Sequence, residues 1–293
     1  MSSSVEAHAD RTLAQAPSPP RSAAFFDLDR TLMAGSSGFH FVRAAYGAGM
    51  ISRGRLARDT YAAVRFRLFG STDAATDKVR ARMGAYVQGR RVRDMQRLAP
   101  RVLAGVLPRL YPQMLELAYA HQDAGRPVYI CTAASQEMAD VLSYILGFDG
   151  AIGSRSEIRD GVYTGREGGL FAYREGKAQA ISELAAAEGI ELATSYAYSD
   201  SESDLPMLRA VGNPVAVNPD TALARVARDA GWETLRFDTL HRRLKIAAAI
   251  VAAAAGGAGG SALRRSGSAP AAPSTRRPPP RAPAGRSARA RRR

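Results

Sequence analysis

Five short apolar runs, at 24–28, 127–132, 194–199, 213–217 and 233–237, set what this 293-residue chain can fold into. Helix-length segments lie among them at about 135–146, 177–188, 203–210 and 219–230. Gly147, Gly189 and Gly231 follow three of these, as helix stops commonly do. Strands joined through helices run parallel and leave helices on both faces of the sheet. The expected fold class is therefore α/β, a Rossmann-like, mostly parallel sheet between helical layers. One stretch, 150–175, departs from the rhythm: Asp160-Gly161 between short alternating runs predicts a hairpin beside the sheet.

Three of these runs end in reactive groups. Phe25-Phe26-Asp27-Leu28-Asp29-Arg30-Thr31 delivers two carboxylates spaced i and i+2. Strand side chains alternate faces, so Asp27 and Asp29 share a site only where the backbone bends. Such a bend suits a hard cation and a phosphate; a strand ending in a polar turn is the plain alternative. Val128-Tyr129-Ile130-Cys131-Thr132 ends in a hydroxyl before Ala133 and Ala134. Gly176-Lys177 opens an Ala-rich helix, where a cation is electrostatically unfavourable, and this favours a dedicated role for Lys177. Tyr196-Ala197-Tyr198-Ser199 leads to Asp200 and Asp204, one helical turn apart. Both acids also suit a helix N-terminus with no further role. Open α/β sheets bind ligands outside the carboxyl ends of their strands, so the four stations are expected to converge.

In this order the four motifs resemble the haloacid-dehalogenase-like phosphohydrolase superfamily, over about residues 23–237. The match is closest to its subfamily IB branch, which contains phosphoserine phosphatases. The resemblance implies a Mg²⁺-dependent phosphomonoesterase acting on a small phosphorylated metabolite. It implies Asp27 as the nucleophile that becomes an aspartyl phosphate, with Asp29, partly desolvated, as general acid and then base. Thr132 and the backbone at Ala133 would hold the phosphoryl group, and Lys177 would neutralise charge. Mg²⁺ would be held by the Asp27 carboxylate, the Asp29 carbonyl and the Asp200 carboxylate, with Asp204 supporting from behind. Phosphoserine phosphatases of this branch carry a glutamate seven residues after the second acid of the pair. Ser36 stands there in this chain, so phosphoserine is one substrate to consider rather than the expected one.

Between Thr31 and Pro127 no strand pattern occurs. Leu56, Tyr61, Val64 and Leu68, then Val92, Met95, Leu98, Val102 and Val106, recur at helical spacing and predict four or five helices, the last at about 108–124. The resemblance makes this insertion an all-helical type-1 cap, over 38–119, on a core of 23–37 and 120–240. Arg53, Arg55, Arg58, Arg65 and Arg67 within it read as a solvated basic face.

The formal charge of +14 is uneven: ten arginines and no acid lie beyond Leu263, so the rest carries about +4. A Pro- and Arg-rich tail of this kind, 264–293, cannot bury enough apolar surface to fold. No specific nucleic-acid partner is expected. Residues 1–22 read as a loose leader without a secretory h-region. Ile246–Leu263 is uncharged but mostly Ala and Gly, a poor bilayer sequence; a weak interfacial helix or a disordered linker fits it better, and 241–293 reads either as a solvated tail or as a weak contact with an acidic membrane. The lone Cys131 excludes an internal disulfide and suits a reducing cytoplasm. Two other readings stand beside the phosphatase: a membrane-associated (lyso)phospholipid phosphatase, and a non-enzymatic regulatory binder with a nucleic-acid-contacting tail.

Overall fold

The computed structural model describes residues 21–52, 54, 81 and 84–237. The leader to residue 20, the 241–263 segment, the arginine-rich tail, the basic run at 53–67 and the helical positions at 56–68 lie outside the described residues.

Six parallel strands form the sheet: β1 (Ala24–Asp27), β2 (Val128–Ser135), β3 (Gly150–Ser154), then, after a hairpin, β6 (Tyr196–Ser199), β7 (Asn213–Val217) and β8 (Glu233–Leu235). Their spatial order is β3-β2-β1-β6-β7-β8, with β1 and β6 meeting where the winding reverses. The hairpin is the antiparallel pair β4 (Ser156–Arg159) and β5 (Val162–Glu167). Its turn residues, Asp160 and Gly161, both have positive φ, as tight hairpin turns require. Strand β3 was not foreseen. Its Gly-Ala-Ile-Gly-Ser sequence carries too little apolar signal, because an edge strand needs only one neighbour.

From β1 the chain enters helices. Those described are α1 (Ser37–Gly47), α2 (Val92–Gln96), α3 (Ala99–Val106) and α4 (Pro112–Asp123), and no strand occurs among the described residues there. Helix α5 (Gln136–Leu146) links β2 to β3, α6 (Glu175–Glu188) precedes β6, α7 (Leu205–Ala210) follows it, and α8 (Thr221–Asp229) links β7 to β8. The period-2 alternation of strand side chains divides the interior in two. Phe26, Ile130 and Tyr198 point to one core with Met114 of α4 and Leu142 of α5. Phe25, Tyr129 and Ala197 point to the other, against Ile181 of α6, Leu208 of α7 and Leu223 of α8. Burying such a side chain stabilises by roughly 1.5–3 kcal/mol, which ties the sheet to both layers. Among the described residues no helix is long and apolar enough to cross a membrane.

Candidate active site

Register places the motifs before any side chain is considered. Asp27 lies level with Cys131, so Thr132 is one residue beyond it on β2. Phe26 lies level with Tyr198, so Ser199 flanks Asp27 and Asp200 stands one residue further along β6. Three adjacent strands thus bring their carboxyl ends to one edge. Cys131 itself is fully buried, and burial pushes its thiol up, as expected of a structural cysteine.

Beyond Asp27 the chain bends as its acid spacing requires. The amide of Leu32 donates to the carbonyls of Asp27 and Leu28, and that of Met33 donates to Leu28. Arg30 occupies the left-handed region (φ 65°), a costly state for a side chain of this size. Thr31 Oγ1 donates to Asp27 Oδ2 at 3.1 Å and so supports the bend locally. Asp29 is half-buried and faces the start of α1. Its Oδ1 accepts from the Ser37 amide (2.7 Å) and its Oδ2 from the Ser36 hydroxyl (2.9 Å).

Lys177, in the first turn of α6, is buried between two acids. Its Nζ donates to Asp27 Oδ1 at 2.6 Å and to Asp204 Oδ2 at 2.8 Å. Gly176 makes this approach possible, since a Cβ there would overlap the carbonyl oxygen of Phe171. Burial opposes the charge on Lys177, but Asp204 and Asp27 outweigh it and raise its pKa. Asp204 also accepts from Ser199 Oγ at 2.7 Å. The Thr132 oxygen accepts from the Ala134 amide at 3.2 Å, and the Ala133 carbonyl accepts from Ser154 Oγ at 3.0 Å.

The electrostatics ask for a cation. Burial, opposed by Lys177 and aided by Asp204, pushes Asp27 up to about 7. Burial and then Asp27 push Asp200 up to about 8, with Arg30 working against them. Arg30 Nε lies 3.0 Å from Asp200 Oδ2, yet that buried oxygen accepts no hydrogen bond among the described residues. A buried carboxylate oxygen without a donor, in a pocket with more acids than cations, fits a divalent ion. No group of three or more His, Cys, Asp or Glu side chains stands ready as a metal cage among the described residues. The set implied by the resemblance does not ask for one, because it has two carboxylates and a main-chain carbonyl.

Sequence reasoning missed four supporting residues: Arg30, Ser36, Ser199 and Asp220. Asp220 caps α8 through the Leu223 amide (2.8 Å) and also accepts from the Glu202 amide (3.0 Å), while its own amide donates to the Asp200 carbonyl. It therefore clamps the 200–204 turn. The sequence placed it inside a helix starting at about 219, and nothing linked it to that turn.

A six-stranded parallel sheet with acids, a hydroxyl and a buried lysine at its central carboxyl edge is an arrangement suited to a phosphate-handling hydrolase. The chain belongs to the haloacid dehalogenase-like hydrolase family, whose model matches residues 24–209, and it is an enzyme of the phosphatase type. It is 39% identical over 229 residues to the "inhibition of morphological differentiation protein" of Streptomyces azureus, covering 78% of this chain and 81% of that one. It is 37% identical over 236 residues to a phosphoserine phosphatase of Mycobacterium tuberculosis, covering 79% and 76%. A protein of unknown function from Bordetella pertussis Tohama I has a similar structure (TM-score 0.65, 28% identity, 74% of this chain and 98% of that one). The expected superfamily and fold class are borne out.

Proposed function

We infer that this chain is a Mg²⁺-dependent phosphomonoester hydrolase, working through an aspartyl phosphate on Asp27 and acting on a small phosphorylated metabolite. One observation carries the reading: Lys177 is held charged and almost solvent-free against Asp27 and Asp204. A fixed cation beside a carboxylate nucleophile is the arrangement that developing phosphoryl charge needs.

In this reading an Asp27 carboxylate oxygen attacks phosphorus, and the departing alkoxide takes a proton from Asp29. Asp29 then removes a proton from the water that cleaves the aspartyl phosphate, which releases inorganic phosphate and restores Asp27. Thr132, whose oxygen is already an acceptor, has its hydroxyl proton to give to a phosphoryl oxygen. Asp204 and Ser199 keep Lys177 in place. Mg²⁺ would be held by Asp27, Asp200 and the Asp29 carbonyl, and would supply positive charge toward the phosphoryl oxygens.

A relative named phosphoserine phosphatase favours phosphoserine. Ser36 in the glutamate's place, engaged with Asp29, removes the acidic partner that an ammonium group would meet. The test is a phosphate-release screen over metabolite esters with Mg²⁺, with phosphoserine included. Asp27→Asn should reduce turnover about a thousandfold or more. Full activity in that variant would show that Asp27 is not the nucleophile.

A further inference from the structure

Helices α1 and α3 flank a half-open hollow of about 660 Å³ whose lining includes His40, Arg43, Arg101, Gly105 and Arg109. That volume falls within the roughly 300–1,000 Å³ typical of small-molecule sites. No acid lines it. Among the described residues Arg43, Arg101 and Arg109 form no ion pair, as holds for other exposed arginines such as Arg93 and Arg225. Three arginines thus line one hollow, with no acid among its described lining residues.

The hollow is built rather than incidental. His40 is buried at its floor, against Gly105 in the middle of α3. A Cβ at 105 would overlap the imidazole, so the helix gives up propensity to seat the ring. Burial first, then Arg109 and Arg43, lower the His40 pKa, while Asp29 acts the other way.

The cavity adjoins the site described above. His40 lies one helical turn after Ser37, whose amide holds Asp29, and His40 feels the Asp29 charge. The Arg109 carbonyl accepts from the Ala34 amide at 2.7 Å, within the loop between the acid pair and α1.

We propose that this cavity binds an oxyanion, a carboxylate or phosphate group, through Arg43, Arg101 and Arg109 over the His40 ring. Guanidinium forks match such groups bidentately and in a common plane. The anion has two sources: the non-reacting end of the phosphate ester, which rests on the functional reading above, or a separate free anion.

The test uses the full chain and inorganic phosphate, read at the His40 Cε1–H proton by NMR. The chain has four histidines, so the resonance is assignable by His40→Gln. Phosphate should shift the His40 signal saturably. In the Arg43→Ala/Arg101→Ala double variant the Kd for that shift should rise about tenfold or more. Both replaced side chains are exposed, and the dispersed NMR spectrum itself reports that the variant is folded. A wild-type signal that does not move, or an unchanged Kd in the variant, overturns the proposal. Either result stands whatever the turnover screen gives, because equilibrium binding requires no hydrolysis. Two further outcomes separate the sources. A fall in the variant's kcat/KM that is about tenfold larger for esters with an anionic end than for neutral ones assigns the cavity to the substrate. The same His40 response with no such difference assigns it to a free anion.

Discussion

Lys177 Nζ has two carboxylate partners and almost no solvent, so removing its charge has consequences beyond catalysis. Lys177→Met keeps the apolar stem and leaves Asp27 and Asp204 uncompensated. Breaking a buried pair from one side costs about 3–5 kcal/mol, and urea unfolding without divalent ions should show a loss of that order. A stability change near zero would mean that solvent reaches these acids. Ser36 offers a milder test. Ser36→Ala deletes the 2.9 Å bond to Asp29 Oδ2, while the Ser37 amide still holds Oδ1. It should cost about 0.5–1.5 kcal/mol and lower kcat while KM is largely kept, because Asp29 is loosened and no substrate contact is lost. At this scale the site was legible where chemistry dictates residue type: Asp27, Asp29, Thr132, Lys177, Asp200 and Asp204 stand together at one sheet edge. Ser199 and Asp220 were not legible, because a hydroxyl or carboxylate that acts only through its neighbour's position leaves no pattern of its own.

Helix α6 reaches the sheet edge only because residue 176 lacks a side chain. Gly176→Ala would push the first turn away from the Phe171 carbonyl and carry Lys177 with it. A stability loss of about 1–3 kcal/mol is expected, together with a clear fall in turnover. Unchanged melting and activity would mean that the Phe171 loop yields easily. The elements themselves were largely readable, since β1, β2, β6 and β7 carry compact apolar runs and Asp160-Gly161 marks its hairpin. Strand β3 escaped because glycine, alanine and serine give no period. Helix α8 begins at Thr221, two residues later than its sequence suggests, because Asp220 serves as its cap.

The whole molecule carries a charge excess that pH should expose. Asp27 at about 7 and Asp200 at about 8 both lie above the ordinary 3.8. Between pH 4 and 8 the folded state therefore holds more protons than the unfolded state, and stability falls as pH rises. His121, lowered to about 4, and His40, also lowered, act with opposite sign, an effect that fades as pH rises past 6.5, where an unfolded histidine is half charged. From pH 7 to 8, where the histidines contribute little, the Tm without divalent ions should drop with rising pH, by about 2–4 °C for each kcal/mol lost. Mg²⁺ should raise Tm more at pH 8 than at 6.5. A flat metal-free profile would contradict the crowding of acids. Strand order was beyond the reach of local pattern, because it depends on which helix crosses which face. Phe25 and Phe26 give β1 a greasy side chain on either surface. Oil alone therefore has little reason to prefer the present alignment to one slid along by a single position. The tether from Asp27 to α6 breaks that tie, so the groups proposed to carry the reaction also act as an alignment pin. Catalytic knockouts at this spot should then show faster amide exchange along 24–27, a misthreaded strand as well as a silent one.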